Sequence, residues 1–506
     1  MRKIKKSNPS NKFVISNLFN RQKESWLIAL LIFCFFALFR TNFSVQAYSS
    51  DLFVTTWQTN VEGATEPTKV TLNFLKDAND TYEVSWDCSD NFFPFSENKI
   101  THDYGEAGTY DICVKSTAPL HFYALDLAVD ERAKLQEIKQ WGHIPWSSFA
   151  SAFIGMKNMQ LTATDIPDLS AVISMYQTFH SATNFTGHES MNSWDTSNVQ
   201  NMNSTFFRAS SFNQDIGGWE TGNVTDMGNM FDQATSFNQN IGGWNTEKVK
   251  NMNGMFYQAT SFNQDISEWK TGEVTSMDNM FAGATAFNNG DEPGASTKPL
   301  DWNTSKVQRM ISMFSNTTSF NQYIGEWNTG AVVYMANMFN GALVFNNGDE
   351  PGASTKPINW NTSKVQTMNG MFAARDFNQP FGPNWKTANV TTMADMFRGT
   401  RYFNQDIGGW NTGKVESMYN MFGGATAFNQ DIGNWNTVKV TTMTYMFRGA
   451  TAFNNGAEPG DEIKPINWNT IKVKYISYMF QDATSFNQPF GENWTTCEVI
   501  DMKGVF

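Results

Sequence analysis

The sequence predicts an α/β repeat solenoid, one short strand and one short helix per coil, preceded by a small all-β sandwich. Three observations predict it. The first is a period. Tryptophan recurs at 194, 219, 244, 269, 302, 327, 360, 385, 410, 435, 468 and 494, mostly at gaps of 25, once at 26 and three times at 33. A regular period in this range is the signature of stacked repeats. The second is register. Each of these twelve tryptophans has Thr two residues on, Val five on and Phe twelve on, and Met stands eight on except where Ile476 replaces it. The third is a period-two alternation at Val70–Phe74, Tyr82–Trp86 and Tyr110–Val114, bounded by Gly, Asn and Asp, which reads as half-buried strands.

Residues 1–47 carry eight Lys or Arg and one Glu, and within them Trp26–Phe39 is a run of fourteen apolar residues. As a helix that run spans about 21 Å, short of a ~30 Å hydrocarbon core. It is therefore expected to be a secretory signal with a long basic head, cut after Ala47, where small residues suit a signal peptidase. An uncleaved anchor is the rival. The whole chain has a formal charge of −12, and removing the +7 of residues 1–47 leaves −19. An acidic chain is a poor prospect for nucleic acid, which needs cationic patches, and its acidity argues little for anionic lipid. Aromatics make up 15% of the residues, too many for a disordered chain.

Residues 48–118 hold the strand runs and form the predicted sandwich. Three cysteines lie beyond the apolar run: Cys88, Cys113 and Cys497. Cys88 and Cys113 are candidates for a disulfide. Alternation nevertheless puts Cys88 in phase with inward Tyr82, Val84 and Trp86, and Cys113 on the face opposite Ile112. The segment His102–Val114 resembles the closing strand of PKD-type, immunoglobulin-like domains, and Trp86-Asp87 resembles their earlier strand-end motif, although the usual glycines are replaced by Cys88, Ser89 and Asp90. That resemblance implies a spacer or presentation module. Residues 119–150 read as a connecting segment with a short helix, since Asp126–Gln140 has helical spacing and mixed charge. Residues 151–190 copy the repeat imperfectly, with Pro167 where Trp should stand, as capping repeats of a solenoid do.

The solenoid proper runs from 191 to 506. Val199, Met202, Phe206 and Ala209 step by three and four, the spacing of one helix face, and Thr196 stands where it could cap that helix. Phe212 and Ile216 share strand parity, and the glycine pair 217–218 makes a bend. An all-strand coil is the alternative. Trp219, Val224, Met227, Phe231, Phe237, Asn238 and Trp244 stand for the ladder expected to form the structural core. Each coil has roughly six large apolar groups contributing about 1.5–3 kcal/mol apiece when buried. Ordering some 25 residues costs on the order of 1–2 kcal/mol each. A lone coil cannot fold, so coils must bury one another.

Asn follows eleven of the second phenylalanines, from Phe212 to Phe486. Its first reading is a side-chain ladder satisfying the backbone of neighbouring coils; a ligand-binding row is the second. A sugar-stacking tryptophan row is likewise the rival of a buried one. Three coils carry an eight-residue insertion, at 288–302, 346–360 and 454–468. These set Asp291, Glu292, Asp349, Glu350, Glu458, Asp461 and Glu462 on one edge, where repeat insertions often bind. No spacing among them matches a calcium loop. Pro380 and Pro489 replace a usual Asp and predict local kinks.

The unit of Met-Phe, Ala, Phe-Asn-Gln-Asp-Ile-Gly-x-Trp-Asn-Thr, Val and Met, covering about 190–506, resembles the repeat of BspA-like bacterial surface proteins, a leucine-rich-repeat-like solenoid. The resemblance implies a cell-surface protein engaged in adhesion or host contact, without enzyme activity. The chain stops at Phe506 on a core residue, so it is expected either to be a fragment or to have that end covered, for instance by end-to-end self-association. The five histidines all lie at or before His188, and the array lacks nucleophile, metal and phosphate motifs. No enzyme, cofactor or metal site is assigned. The expected function is a secreted or surface module binding extracellular protein or glycan, with a passive structural stalk or surface-layer component as the alternative.

Overall fold

The computed structural model describes residues 48–458 and 463–506. The chain divides into two units, residues 1–49 and 50–506. The expected signal and its cleavage after Ala47 lie outside the described residues, as do Asp461 and Glu462.

The second unit begins with two sheets. Strands β1 (Phe53–Gln58), β3 (Tyr82–Ser85), β4 (Phe93–Phe95), β6 (Thr109–Lys115), β8 (Leu135–Gln140) and β9 (Gln160–Leu161) form one in the order β4-β3-β6-β1-β8-β9. Strands β2 (Lys69–Leu75), β5 (Lys99–Asp103) and β7 (His121–Phe122) form the other in the order β5-β2-β7. Their inward side chains meet at Phe74 and Tyr82, whose rings lie 5.1 Å apart. All pairs are antiparallel except β8–β9.

Residues 119–150 do more than connect. Asp126–Gln140, read as a helix, yields only α1 (Val129–Arg132) before the chain extends into β8 along β1. Packing decides this: Leu135 and Ile138 are buried in the sheet, while Val129 is exposed. Helical spacing is a weak signal where tertiary pairing competes with it. Lys134 is fully buried at the join. It bonds the Glu66 and Lys69 carbonyls at 2.9 Å each and pairs with Glu131, which accepts the Thr71 amide.

Beyond residue 150 the α/β reading is corrected: among the described residues no coil contains an α-helix. Each rung, taken from one tryptophan to the next, is a chain of tight turns. In the rung opening at Trp219, the amides of Val224, Met230, Ala234 and Phe237 each bond the carbonyl three residues back. Those of Met227, Asn229, Phe231 and Gln233 instead bond carbonyls 251, 253, 255 and 257 of the next rung. An α-helix spends its amides on carbonyls four residues back, which would leave none to join the rungs. Asn229 and Gln233 also have φ of 52° and 57°, the left-handed region that interrupts a helix. Three-residue turns return a side chain to one face every three residues, and so mimic the apolar spacing of a helix.

The expected strand at Phe212–Ile216 does not form: the segment pairs with no strand. Side chains replace its ladder. The Asn238 amide bonds Asn213 Oδ1 at 2.9 Å and the Gly217 amide bonds Asp215 Oδ1 at 2.9 Å. The glycine pair serves close approach as well as bending: a Cβ on Gly217 would lie 2.7 Å from the Asn240 carbonyl of the next rung. Parallel pairing between rungs consists of one-residue bridges, seven positions after each tryptophan from Asn201–Asp226 to Tyr475–Asp501, with two more at Ile358–Phe381 and Ile466–Phe490. Inside, the rings run in columns. Phe206, Phe231, Phe256 and Phe281 stack at 5.6, 5.6 and 5.5 Å. Trp269 and Trp302 remain stacked at 6.4 Å although an insertion separates them in sequence.

Candidate binding surfaces

The ladder residues Trp219, Val224, Met227, Phe231, Phe237 and Trp244 are all buried, at 3% exposure or less. Trp244 donates its indole N–H to the Ile216 carbonyl of the previous rung at 3.2 Å. Stacked and sealed, these rings offer no face to a sugar. Trp385 is a local exception in its bonding. The bridge between Ile358 and Phe381, beside Pro380, gives the Ile358 carbonyl to the Gly382 amide, and the buried Trp385 indole N–H is left without a partner.

Asn238 is exposed rather than part of the core. Its Oδ1 accepts the Asn263 amide at 2.9 Å and the Gln264 side chain at 2.8 Å. The row continues rung by rung and becomes buried at Asn288, Asn321 and Asn346, where insertions cover it. Its Oδ1 atoms are thus engaged within the stack.

The insertions are folded loops, not loose knobs. Asn289 Oδ1 accepts the Ile266 amide, and its Nδ2 donates to the Lys298 carbonyl. Asp291 accepts the amide and hydroxyl of Thr297 at 2.6 and 2.7 Å, and Asp349 holds Thr355 in the same way. Burial opposes ionisation of Asp291, but Thr297, Gln322 and Lys298 outweigh it and hold the carboxyl below its usual value. At Asp349 burial is likewise outweighed, by Thr355 and Gln379. The third loop has Ala457 and Ile463 at these two positions and lacks the lock. Glu292, Glu350 and Glu458 are exposed. Among the described residues no three His, Cys, Asp or Glu side chains converge as a metal site would require.

Cys88 and Cys113 are bonded, with Cα atoms 5.0 Å apart. The opposing phases inferred from alternation do not apply, because β3 ends at Ser85. Ser85 lies opposite Cys113, and the chain then turns, with Cys88 at φ 53°. Cys497 is a free, exposed thiol.

Two surfaces depart from the repeat, and reading by core positions misses both. One is the turn face. Thirteen residues after tryptophan it shows Phe207, Asp232, Tyr257, Asn340, Arg398 and Arg448 in different rungs. A shallow polar groove there is lined by Asn229, Asp232, Asn253, Tyr257, Asp278 and Asn279. Burial pushes the Asp232 carboxyl up to about 6, against the smaller opposing effects of Gln233 and Arg208. The other is the edge formed by the turns between Thr and Val, whose tips carry Lys248, Lys306, Lys364, Lys414, Lys439 and Lys472. The signal for both lies in the variable columns of the repeat, not in its constant ones.

A family model described as "Mycoplasma protein of unknown function, DUF285" matches residues 147–256, 216–293, 240–346, 291–382, 351–460 and 461–506. This corrects the leucine-rich-repeat resemblance drawn from the motif, as does the lack of a helix in each coil. No curated protein and no solved structure matches the chain.

Proposed function

The chain belongs to this DUF285 repeat family, and from that premise we propose that it acts outside the cell as a binding module for an extracellular protein or glycan. The observation that carries the reading is the contrast between the inside of the stack and its turn face. Inward positions repeat almost without change, whereas the outer positions thirteen after tryptophan range from Phe207 to Tyr257 to Arg398. Packing requires the first; a scaffold alone does not require the second. The basic head, the apolar run and the expected cleavage after Ala47 support export. The Cys88–Cys113 disulfide supports an oxidising destination. No catalytic role is proposed, since the aspartates of the array recur as scaffold does.

A passive stalk or surface-layer component is the second reading. The near-uniform edge of Phe-Asn-Gln-Asp-Ile-Gly-Gly-Trp favours it, because the Asn and Gln side chains there bond mainly to adjacent rungs. An array of glycans and matrix proteins, probed with residues 48–506, separates the two. Saturable binding to a subset of the spots is the expected result. Silence across the array, with concentration-dependent self-association on sizing, would transfer the assignment to the stalk.

A further inference from the structure

The lysines of the later rungs are not scattered. In the five consecutive rungs opening at Trp360, Trp385, Trp410, Trp435 and Trp468, exposed lysines gather on, or immediately beside, the turn between Thr and Val. Lys364, Lys414, Lys439 and Lys472 stand four residues after tryptophan, Lys386 one after and Lys474 six after. Glu416 is the sole acid within those stretches. The remaining lysine of these rungs, Lys464, is tied to the Gly456 carbonyl inside its loop.

The fold aligns these charges. The Val415, Val440 and Val473 amides close turns onto Thr412, Thr437 and Thr470 at 2.9, 2.9 and 3.0 Å. Each threonine hydroxyl then bonds the next rung, Thr412 to the Asn436 carbonyl at 3.0 Å and Thr437 to the Asn469 carbonyl at 2.9 Å. Successive turn tips are therefore held in line, with neighbouring backbones about 4.8 Å apart as in any parallel pairing. One earlier rung neutralises such a lysine: Lys306 lies 2.6 Å from Glu273, whereas Lys248 bonds the Asn223 side chain. Lys364, Lys414, Lys439, Lys472 and Lys474 make no ion pair among the described residues, and a shallow groove between the tips is lined by Lys364, Gln366, Asn389, Thr391 and Lys414. A row of unpaired like charges on a chain of formal charge −12 concentrates positive potential along one line.

We infer that this edge binds a linear acidic polysaccharide, its carboxylates or sulfates met by the lysine row and its hydroxyls by Gln366 and Thr391, while Asn389 is held by Lys414 and the Ser363 carbonyl. The inference deepens the proposed binding function and rests on it. A single-stranded nucleic acid is also a linear polyanion, but it needs free aromatic faces for its bases. Two tyrosines on the adjoining turn face are already engaged, and the exposed Tyr419 and Tyr475 make no stacked pair with each other. Tyr445 and Tyr478 stack on each other at 5.3 Å, Arg448 covers Tyr445, and Lys503 lies over Tyr478.

The test measures binding of residues 48–506 to heparin, hyaluronan, neutral dextran and a single-stranded DNA oligonucleotide across a salt series. The two acidic polysaccharides separate sulfate from carboxylate as the recognised group. Heparin or hyaluronan should bind at low salt and weaken as salt rises, with dextran inert. The triple variant K414Q/K439Q/K472Q should lose at least about ten-fold in affinity, while K76Q/K99Q/K157Q, which removes the same charge elsewhere, stays within about two-fold. Equal losses in the two triples would overturn the inference, as would tighter binding of the oligonucleotide than of either polysaccharide. Absence of polysaccharide binding while a protein on the array is bound would overturn it and leave the binding function standing. Silence everywhere would remove both.

Discussion

Asp232 is a carboxylate placed where the repeat elsewhere accepts Ala, Ser or Tyr. The backbone keeps it buried, with a single Gln233 side-chain bond at 3.1 Å. Because burial raises its pKa from 3.8 to about 6, the folded chain retains a proton that the unfolded chain has released between those values. Its contribution to stability is therefore complete below pH 3.8 and is lost as pH rises through about 6. Asp232→Asn is expected to stabilise the protein at pH 7 by on the order of 1 kcal/mol, after allowing for solvent screening, and to have little effect at pH 4. Urea denaturation at the two pH values measures this, and an equal gain at both would show that the charge is not responsible. Neither the burial nor the shift is legible in the sequence. The position thirteen after tryptophan passes from Tyr257 to Ala282 to Arg398, so its column names no constant environment.

At the scale of the element, the rung shows how a helical pattern and a turn pattern coincide. Apolar steps of three and four identify which residues face inward, and Val199, Met202, Phe206 and Ala209 are all buried. The same steps do not identify the backbone. The missed signal stands two residues after the constant Met: Ser204, Asn229, Gly254, Asn279, Asn337 and Gly370 all occupy the left-handed region there. Asn and Gly tolerate that conformation and are poor helix formers. The insertions are separable elements in the same sense. Their Asn and Asp bonds close the loop, and the Trp269–Trp302 stack is preserved beneath it. Removing the eight residues 290–297 restores the 25-residue period. The shortened protein is expected to fold with a stability change of about 1–2 kcal/mol, because surface-loop length costs little. A melting curve that loses its cooperative transition would show instead that the loop is part of the core. The disulfide shows the opposite case: strand parity does not hold at Cys88, three residues beyond the end of β3.

For the molecule as a stack, stability is a sum over rung-to-rung contacts. Phe256 stacks on Phe231 and Phe281 and touches Phe262 at 3.9 Å, so it joins two interfaces. Phe256→Ala is expected to cost about 3–5 kcal/mol. The break should also divide unfolding into two transitions, one for each side of the stack. Calorimetry distinguishes this from a single displaced peak, which would mean that cooperativity runs through the cavity undiminished. Charge is organised at this scale as well. Single lysines mean little in sequence, but stacking turns a column of them into a continuous edge.

The period, the inward columns and the place of the insertions follow from the order of residues alone, because apolar burial must recur wherever one unit packs on the next. The backbone that carries those columns does not. Each amide can close a turn or reach the next rung, and that choice depends on whether a neighbouring rung is there to receive it. The same dependence brings Cys88 to Cys113 and aligns the lysine tips, since residues some 25 positions apart become neighbours only once the chain has folded back beside itself.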